Sequence, residues 1–150
     1  MWTYETSVVW KEKQRGETHG SGKPPVEVAM SPELGGPPNI WTPADLLTSA
    51  VASSIMTSTL FFAEKSGIEL RSYMSNASGV MEKTSGGRTI TRIAVEIAIT
   101  LSEAGQGPAI RKAVERAERT CPISNALRCP VEVVLHLSGA GPVKKTEVTT

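Results

Sequence analysis

The sequence predicts an α+β fold, and two observations carry the prediction. Strand-like segments stand before and after one long apolar helix, instead of alternating with helices in the order that builds a parallel sheet. The second is the run from Arg92 to Leu101. There Ile93, Val95, Ile97, Ile99 and Leu101 alternate without a break against Arg92, Ala94, Glu96, Ala98 and Thr100, the period of a half-buried strand. At 150 residues, 39% hydrophobic and 21% charged, the chain is expected to form one domain over residues 1–150 around a single core.

Taken in order, Thr3 to Lys11 reads as a strand rich in Thr, Val and aromatics, closed by a polar turn at Gln14-Arg15-Gly16. Val26, Val28 and Met30 alternate with Glu27 and Ala29, a second short strand. Ser31 to Pro38 holds too much Gly and Pro to be anything but a loop. Thr42-Pro43-Ala44-Asp45 opens a helix: Thr42 caps, Pro43 suits the first helical position, and Asp45 opposes the dipole. The helix is expected to run to Lys65 or Ser66 and stop at Gly67. Leu47, Val51, Ser54, Ser58 and Phe61 recur at spacings of three and four and are expected to share its core-facing side.

Ile68 to Glu82 and the alternating run after it form a hairpin about Ser85-Gly86-Gly87. Pro108 to Arg119 is an amphipathic helix with Ile110, Val114 and Ala117 inward. A short helix begins at Cys121-Pro122, Val131 to Leu137 is the closing strand, and residues 138–150 are expected to be loosely held.

The formal net charge is +1 with no basic run, which argues against a nucleic-acid partner or an anionic membrane surface. Leu46 to Ala63 is free of charge over a length that suits a membrane span. Its many small and hydroxylated residues, Thr48, Ser49, Ser53, Ser54, Thr57 and Ser58 among them, read better as a buried core helix. Glu5 and the lack of an apolar run before it argue against a signal peptide, and a cytoplasmic location is expected. Two cysteines, Cys121 and Cys129, are too few for a disulfide framework and read as thiols. Two histidines, His19 and His136, with two cysteines at these separations match no metal-ligand spacing, so neither metal nor other cofactor is expected. No Gly-x-Ser-x-Gly elbow or phosphate loop is present.

Three segments in register resemble the OsmC/Ohr family of hydroperoxide-handling proteins: Pro-Glu-Leu-Gly-Gly at residues 32–36, Thr-Pro-x-x-Leu-Leu at 42–47, and Cys-Pro-Ile-Ser-Asn-Ala-Leu at 121–127. Their order agrees with the family along nearly the whole chain. The resemblance implies antiparallel strands around a long central helix, in an intertwined homodimer with a cysteine pair at each subunit interface. It further implies that a cysteine on the central helix attacks the peroxide and that the Cys-Pro cysteine then closes a disulfide with it. An arginine near the N-terminal strand steadies the thiolate, a glutamate just after the helix-opening proline orients that arginine, and an external dithiol, lipoylated in some members, regenerates the enzyme.

Carried over by residue, the Cys-Pro position is Cys121 and the arginine is Arg15. The attacking cysteine falls on Ser54 and the glutamate on Ala44. A thiol of reference pKa about 8.5 is tuned into a thiolate by a cation or a helix N-terminus. A serine hydroxyl is not, and it forms neither sulfenate nor disulfide. Ser54 therefore reads first as a small residue that permits close packing. Cys121 stands where Pro122 opens a helix, so it is either a reactive thiol favoured by the dipole or a buried, inert one. Cys129 reads as a core residue leading into the last strand. Two functions follow: a thiol-dependent peroxidase, altered by Ser54 and working through Cys121 with Arg15 in support, or a non-catalytic module keeping the pocket for a hydrophobic or acyl ligand. Hydrolysis at Ser54 ranks last, for want of a base.

Overall fold

In a computed structural model, residues 1–139 and the backbone of 147–149 are described. The chain divides into two compact units, Met1–Leu47 and Thr48–Thr150.

The first unit holds an antiparallel sheet of β1 (Ser7–Glu12), β2 (Arg15–His19) and β3 (Val26–Ala29), in that order. Here the structure corrects the sequence expectation. The turn falls at Lys13-Gln14, with Lys13 at a φ of 47°, and Arg15 and Gly16 belong to a strand. Arg-Gly-Glu-Thr-His carries no apolar alternation to announce one. Its backbone is nevertheless bonded on both sides, Trp10 opposite Gly16 and Gly16 opposite Val28. β1 also starts later than expected, at Ser7, and is exposed throughout.

The Pro-Glu-Leu-Gly-Gly loop contains a single 3-10 turn, Pro32–Leu34, closed by Gly35 in the left-handed region at a φ of 95°. Gly36 is required for a different reason. A Cβ there would sit 1.7 Å from the Met30 carbonyl oxygen.

Helix α1 (Pro43–Lys65) opens with a reciprocal cap. The Thr42 hydroxyl accepts the Asp45 amide at 3.1 Å, and the Asp45 carboxylate accepts the Thr42 amide at 2.9 Å and its hydroxyl at 2.8 Å, so two groups left over at the helix end are satisfied together. The helix closes as expected at Gly67. With φ at 68°, this glycine lets its own amide reach the Glu64 carbonyl while the Ile68 amide reaches that of Ala63, a Schellman ending. By length and composition α1 is apolar enough to cross a membrane. Within the second unit, Val51, Ile55 and Ala63 join the core cluster with the inward residues of the sheet. The buried stripe is Val51, Ile55, Thr59 and Ala63, one residue round from the stripe the sequence suggests. Ser54 and Ser58 lie beside it half-buried, and Phe61 is exposed.

The sheet of the second unit runs β4 (Leu70–Thr84), β5 (Gly87–Leu101), β6 (Val131–Ser138), β7 (Glu147–Thr149). β4 and β5, 15 residues each, make a long hairpin about Ser85-Gly86. Glycine at 79 lets β4 approach α1, since a Cβ there would meet the Thr48 hydroxyl at 2.6 Å. Ile93, Val95, Ile97, Ile99 and Leu101 face inward as predicted, joined by Val133, Leu135 and Leu137 of β6.

The expected antiparallel strands make up every pair but one. β5 and β6 instead run parallel, from Ile93 opposite Val131 to Thr100 opposite Ser138, because α2 (Gly107–Thr120) and α3 (Pro122–Asn125) carry the chain back across before β6 begins. Of the tail expected over 138–150, residues 140–146 and 150 lie outside the described residues, and Glu147–Thr149 pairs antiparallel with β6.

Candidate functional site

Ser54 and Cys121, 67 residues apart, meet in the second unit. The Cys121 thiol donates to the Ser54 hydroxyl at 3.3 Å. Each partner is held by regular structure. Ser54 sits in the fourth turn of α1, where small and hydroxylated residues let a neighbour approach. Cys121 ends α2 and also caps α3, in an extended conformation with φ −63° and ψ 113°. Pro122 takes the first position of α3, and the Ser124 amide donates to Cys121 Sγ at 3.4 Å. The Asn125 side-chain amide, bonded to the Arg119 carbonyl at 3.2 Å, clamps the corner between the two helices.

Cys121 is fully buried, and burial alone pushes its thiol up. Against that act the Ser124 side chain, the Ser54 hydroxyl, and the amides of Ser124 and Ile123, all favouring the thiolate. The net result is a thiol below its ordinary pKa. The Ser124 hydroxyl is buried beside the sulfur and makes no hydrogen bond of its own, so it is free to turn its proton towards a thiolate. A lower pKa keeps thiolate present at lower pH. Alkylation of Cys121 is therefore expected to rise to its plateau with a midpoint below that of a free cysteine, about 8.5, and Ser124→Ala is expected to move the midpoint up. Iodoacetamide labelling against pH, with Cys121 followed by peptide mass, measures both. A native midpoint at or above the free value rules out an activated thiol.

Arg15 lies in the first unit, where its guanidinium bonds the Glu27 carboxylate across β2 and β3, Nε to Oε1 at 3.0 Å. This bond to Glu27, and the charge behind it, raise an already high pKa. Ala44, at the position of the expected glutamate, is half-buried in the first turn of α1. Cys129 is half-buried against the core. It lines a cavity of about 400 Å³ together with Glu115, Glu118, Arg119 and Asn125, and so is more open than the core role expected of it. His136 points to the outer face of the sheet and bonds Glu96 at 2.7 Å. Among the described residues, no group of three or more His, Cys, Asp or Glu could hold a metal ion.

Sequence reasoning missed one contributor. Ser124 was legible as the third residue after a helix-capping Cys121, the position whose amide meets the cap. Nor did the sequence signal the contact of Arg116 with Phe62, the guanidinium 4.4 Å from the ring centre.

No curated protein matches the sequence. Solved structures share the fold. An OsmC-like protein of unknown function from Vibrio cholerae superposes with a TM-score of 0.81 at 21% identity, covering 91% of this chain and 99% of that one. An organic hydroperoxide resistance protein OsmC from Legionella pneumophila gives 0.71 at 24% identity, covering 92% and 98%. An organic hydroperoxide resistance protein from Elizabethkingia anophelis gives 0.71 at 19%, covering 93% and 98%. The OsmC-like protein family matches in sequence over residues 36–136, a span that takes in the helix bearing Ser54 and the turn bearing Cys121. By that match, the chain belongs to the OsmC-like family.

Proposed function

We propose that this is a single-thiol member of its family, acting in organic-hydroperoxide stress with Cys121 as its redox-active atom. Ser54 holds the place that the resemblance gives to the attacking cysteine. The observation that carries the reading is the contact itself: the one fully buried thiol, capping α3, lies 3.3 Å from Ser54 Oγ.

The chemistry follows from what each atom can do. The Cys121 thiolate attacks one peroxide oxygen, the O–O bond breaks, and the sulfur keeps that oxygen as a sulfenic acid. The alkoxide leaves as an alcohol on taking a proton, and the Ser54 hydroxyl is placed to hand one on. Ser54 cannot close a disulfide, so the sulfenic acid waits for an external thiol. One thiol equivalent forms a mixed disulfide with loss of water, and a second releases Cys121 reduced. A reducing compartment suits such a cycle, and the cytoplasm is the proposed location.

Full burial of Cys121 favours a second reading, in which the pocket binds a hydrophobic or acyl ligand without turnover. Cumene hydroperoxide consumption with dihydrolipoamide as reductant separates the two. Slow turnover by the native protein, falling to the protein-free background in Cys121→Ser, is the result expected. Equal rates in the two proteins would remove Cys121 from the chemistry and leave the binding reading in front.

A further inference from the structure

The last turns of α2, the short helix α3 and the start of β6 surround a cavity of about 400 Å³ whose walls do not include Cys121. Its volume falls within the range of small-molecule sites, about 300–1,000 Å³. Cys129 lines it. This thiol is free and half-buried, whereas Cys121 is fully buried. The carbonyl of the next residue, Pro130, accepts the Ile93 amide at 3.1 Å, so the backbone beside Cys129 is moored to the sheet.

Opposite charges stand on the α2 wall. Glu115 and Arg119 both line the cavity and are exposed. Residues four apart on a helix are neighbours, about 5–6 Å between Cβ atoms. That spacing suits an ion pair, yet among the described residues none joins the two. Ser124 adds a third polar group to the wall. Its hydroxyl oxygen is buried and has no hydrogen-bond partner. While its proton serves Cys121, the oxygen remains an acceptor for a donor on the cavity side. The Asn125 side chain holds the wall in place through the Arg119 carbonyl at 3.2 Å.

A thiol with a carboxylate and a guanidinium beside it matches a sulfur compound that carries both an ammonium and a carboxylate. We propose that Cys129 is a site of mixed-disulfide formation with the disulfides of α-amino-acid thiols. Arg119 holds the carboxylate, its planar fork matching that group. Glu115 and the Ser124 oxygen hold the ammonium. The site is separate from the hydroperoxide reading and requires nothing of Cys121.

The step is a thiol–disulfide exchange. The Cys129 thiolate attacks one sulfur of the incoming disulfide, a new S–S bond forms, and the disulfide's own S–S bond breaks. The second half leaves as a thiolate and takes up a proton, replacing the one that Cys129 gave to solvent. One disulfide is exchanged for another, with no further oxidant or reductant. A reduced amino-acid thiol runs the step backwards, so the state of Cys129 follows the thiol–disulfide balance around it.

Three disulfides test the site. Cystine carries both charges at each end, cystamine the ammonium alone, and 3,3′-dithiodipropionic acid the carboxylate alone. Coupling is followed on the Cys129 peptide by mass. Each rate is divided by that of the same disulfide with free glutathione, which removes differences in intrinsic reactivity. The native protein is expected to couple cystine about tenfold faster than either of the others, the scale of a charge-assisted hydrogen bond. Arg119→Gln is expected to bring cystine down to the level of cystamine, and Glu115→Gln to that of dithiodipropionic acid. Both side chains are exposed, and Arg119→Gln keeps the carbonyl that Asn125 uses, so the native fold is expected in each variant. Equal relative rates for the three disulfides in the native protein overturn the site. So does a cystine preference unchanged in both variants, or no coupling at Cys129. Peroxide turnover at Cys121 is a separate reading that none of these results alters.

Discussion

Ser54→Cys is expected to raise organic-hydroperoxide turnover about 100-fold and to close a disulfide with Cys121 when peroxide is added. The increase has two sources. A sulfur at position 54 stands on α1 in a half-buried place, whereas Cys121 is fully buried, so the new thiol meets substrate first. A few per cent of an ordinary cysteine is ionised near neutral pH, and it is intrinsically a strong nucleophile. The sulfenic acid then formed lies beside Cys121, whose thiol now stands 3.3 Å from the Ser54 oxygen. Closing to a bond of about 2.05 Å is a side-chain adjustment. Resolution within the chain replaces capture by a dissolved thiol, with the gain that proximity brings.

The increase stays short of a fully equipped site for reasons visible in the structure. Arg15 is engaged by Glu27, and the glutamate position is Ala44. Non-reducing peptide mapping and a coupled consumption assay read the two effects together. A variant that gains neither the disulfide nor the rate would show that this contact has not kept the family's geometry.

What the sequence showed about this site, and what it hid, divides along physical lines. Local rules were legible wherever the chain satisfies its own backbone. The Thr42–Asp45 cap, the Gly67 ending and the strict alternation of β5 all depend on neighbours a few residues away. Strand direction was not legible. An alternating run such as Val133, Leu135, Leu137 looks the same in parallel and antiparallel sheets, and only the α2–α3 crossover decides. β2 was hidden because Arg15–His19 is bonded as a central strand without burying an apolar face. The buried stripe of α1 came out one residue off because Thr59, fully buried, is a polar member that hydrophobicity does not mark. The meeting of Ser54 with Cys121 came only through resemblance, since 67 residues of separation leave no periodicity to read. Arg116 stayed invisible because a lone cation on a helix surface means nothing until the ring beneath it is seen.

Gly36→Ala is expected to destabilise the protein by at least about 3 kcal/mol, while Gly35→Ala next to it costs about 1 kcal/mol. The two glycines look equivalent in sequence, and Gly35 alone has the positive φ that usually explains such a residue. A Cβ at Gly35 would meet nothing within 4 Å, so the cost there is conformational only. At Gly36 a Cβ would lie 1.7 Å from the Met30 oxygen and 2.4 Å from its carbonyl carbon. No rotamer relieves this, because the obstacle is backbone. The loop has to open, and opening it breaks the Gly36 amide's 3.0 Å bond to the Ser31 carbonyl and strains the Pro32–Leu34 turn inside it. Urea midpoints for the native protein and the two variants test the order as well as the size. Near-equal losses would mean that the loop yields easily. A Gly36→Ala loss well above that of Gly35→Ala would mean that this stretch of the Pro-Glu-Leu-Gly-Gly motif is kept for the closeness of two backbones, with no part in the chemistry.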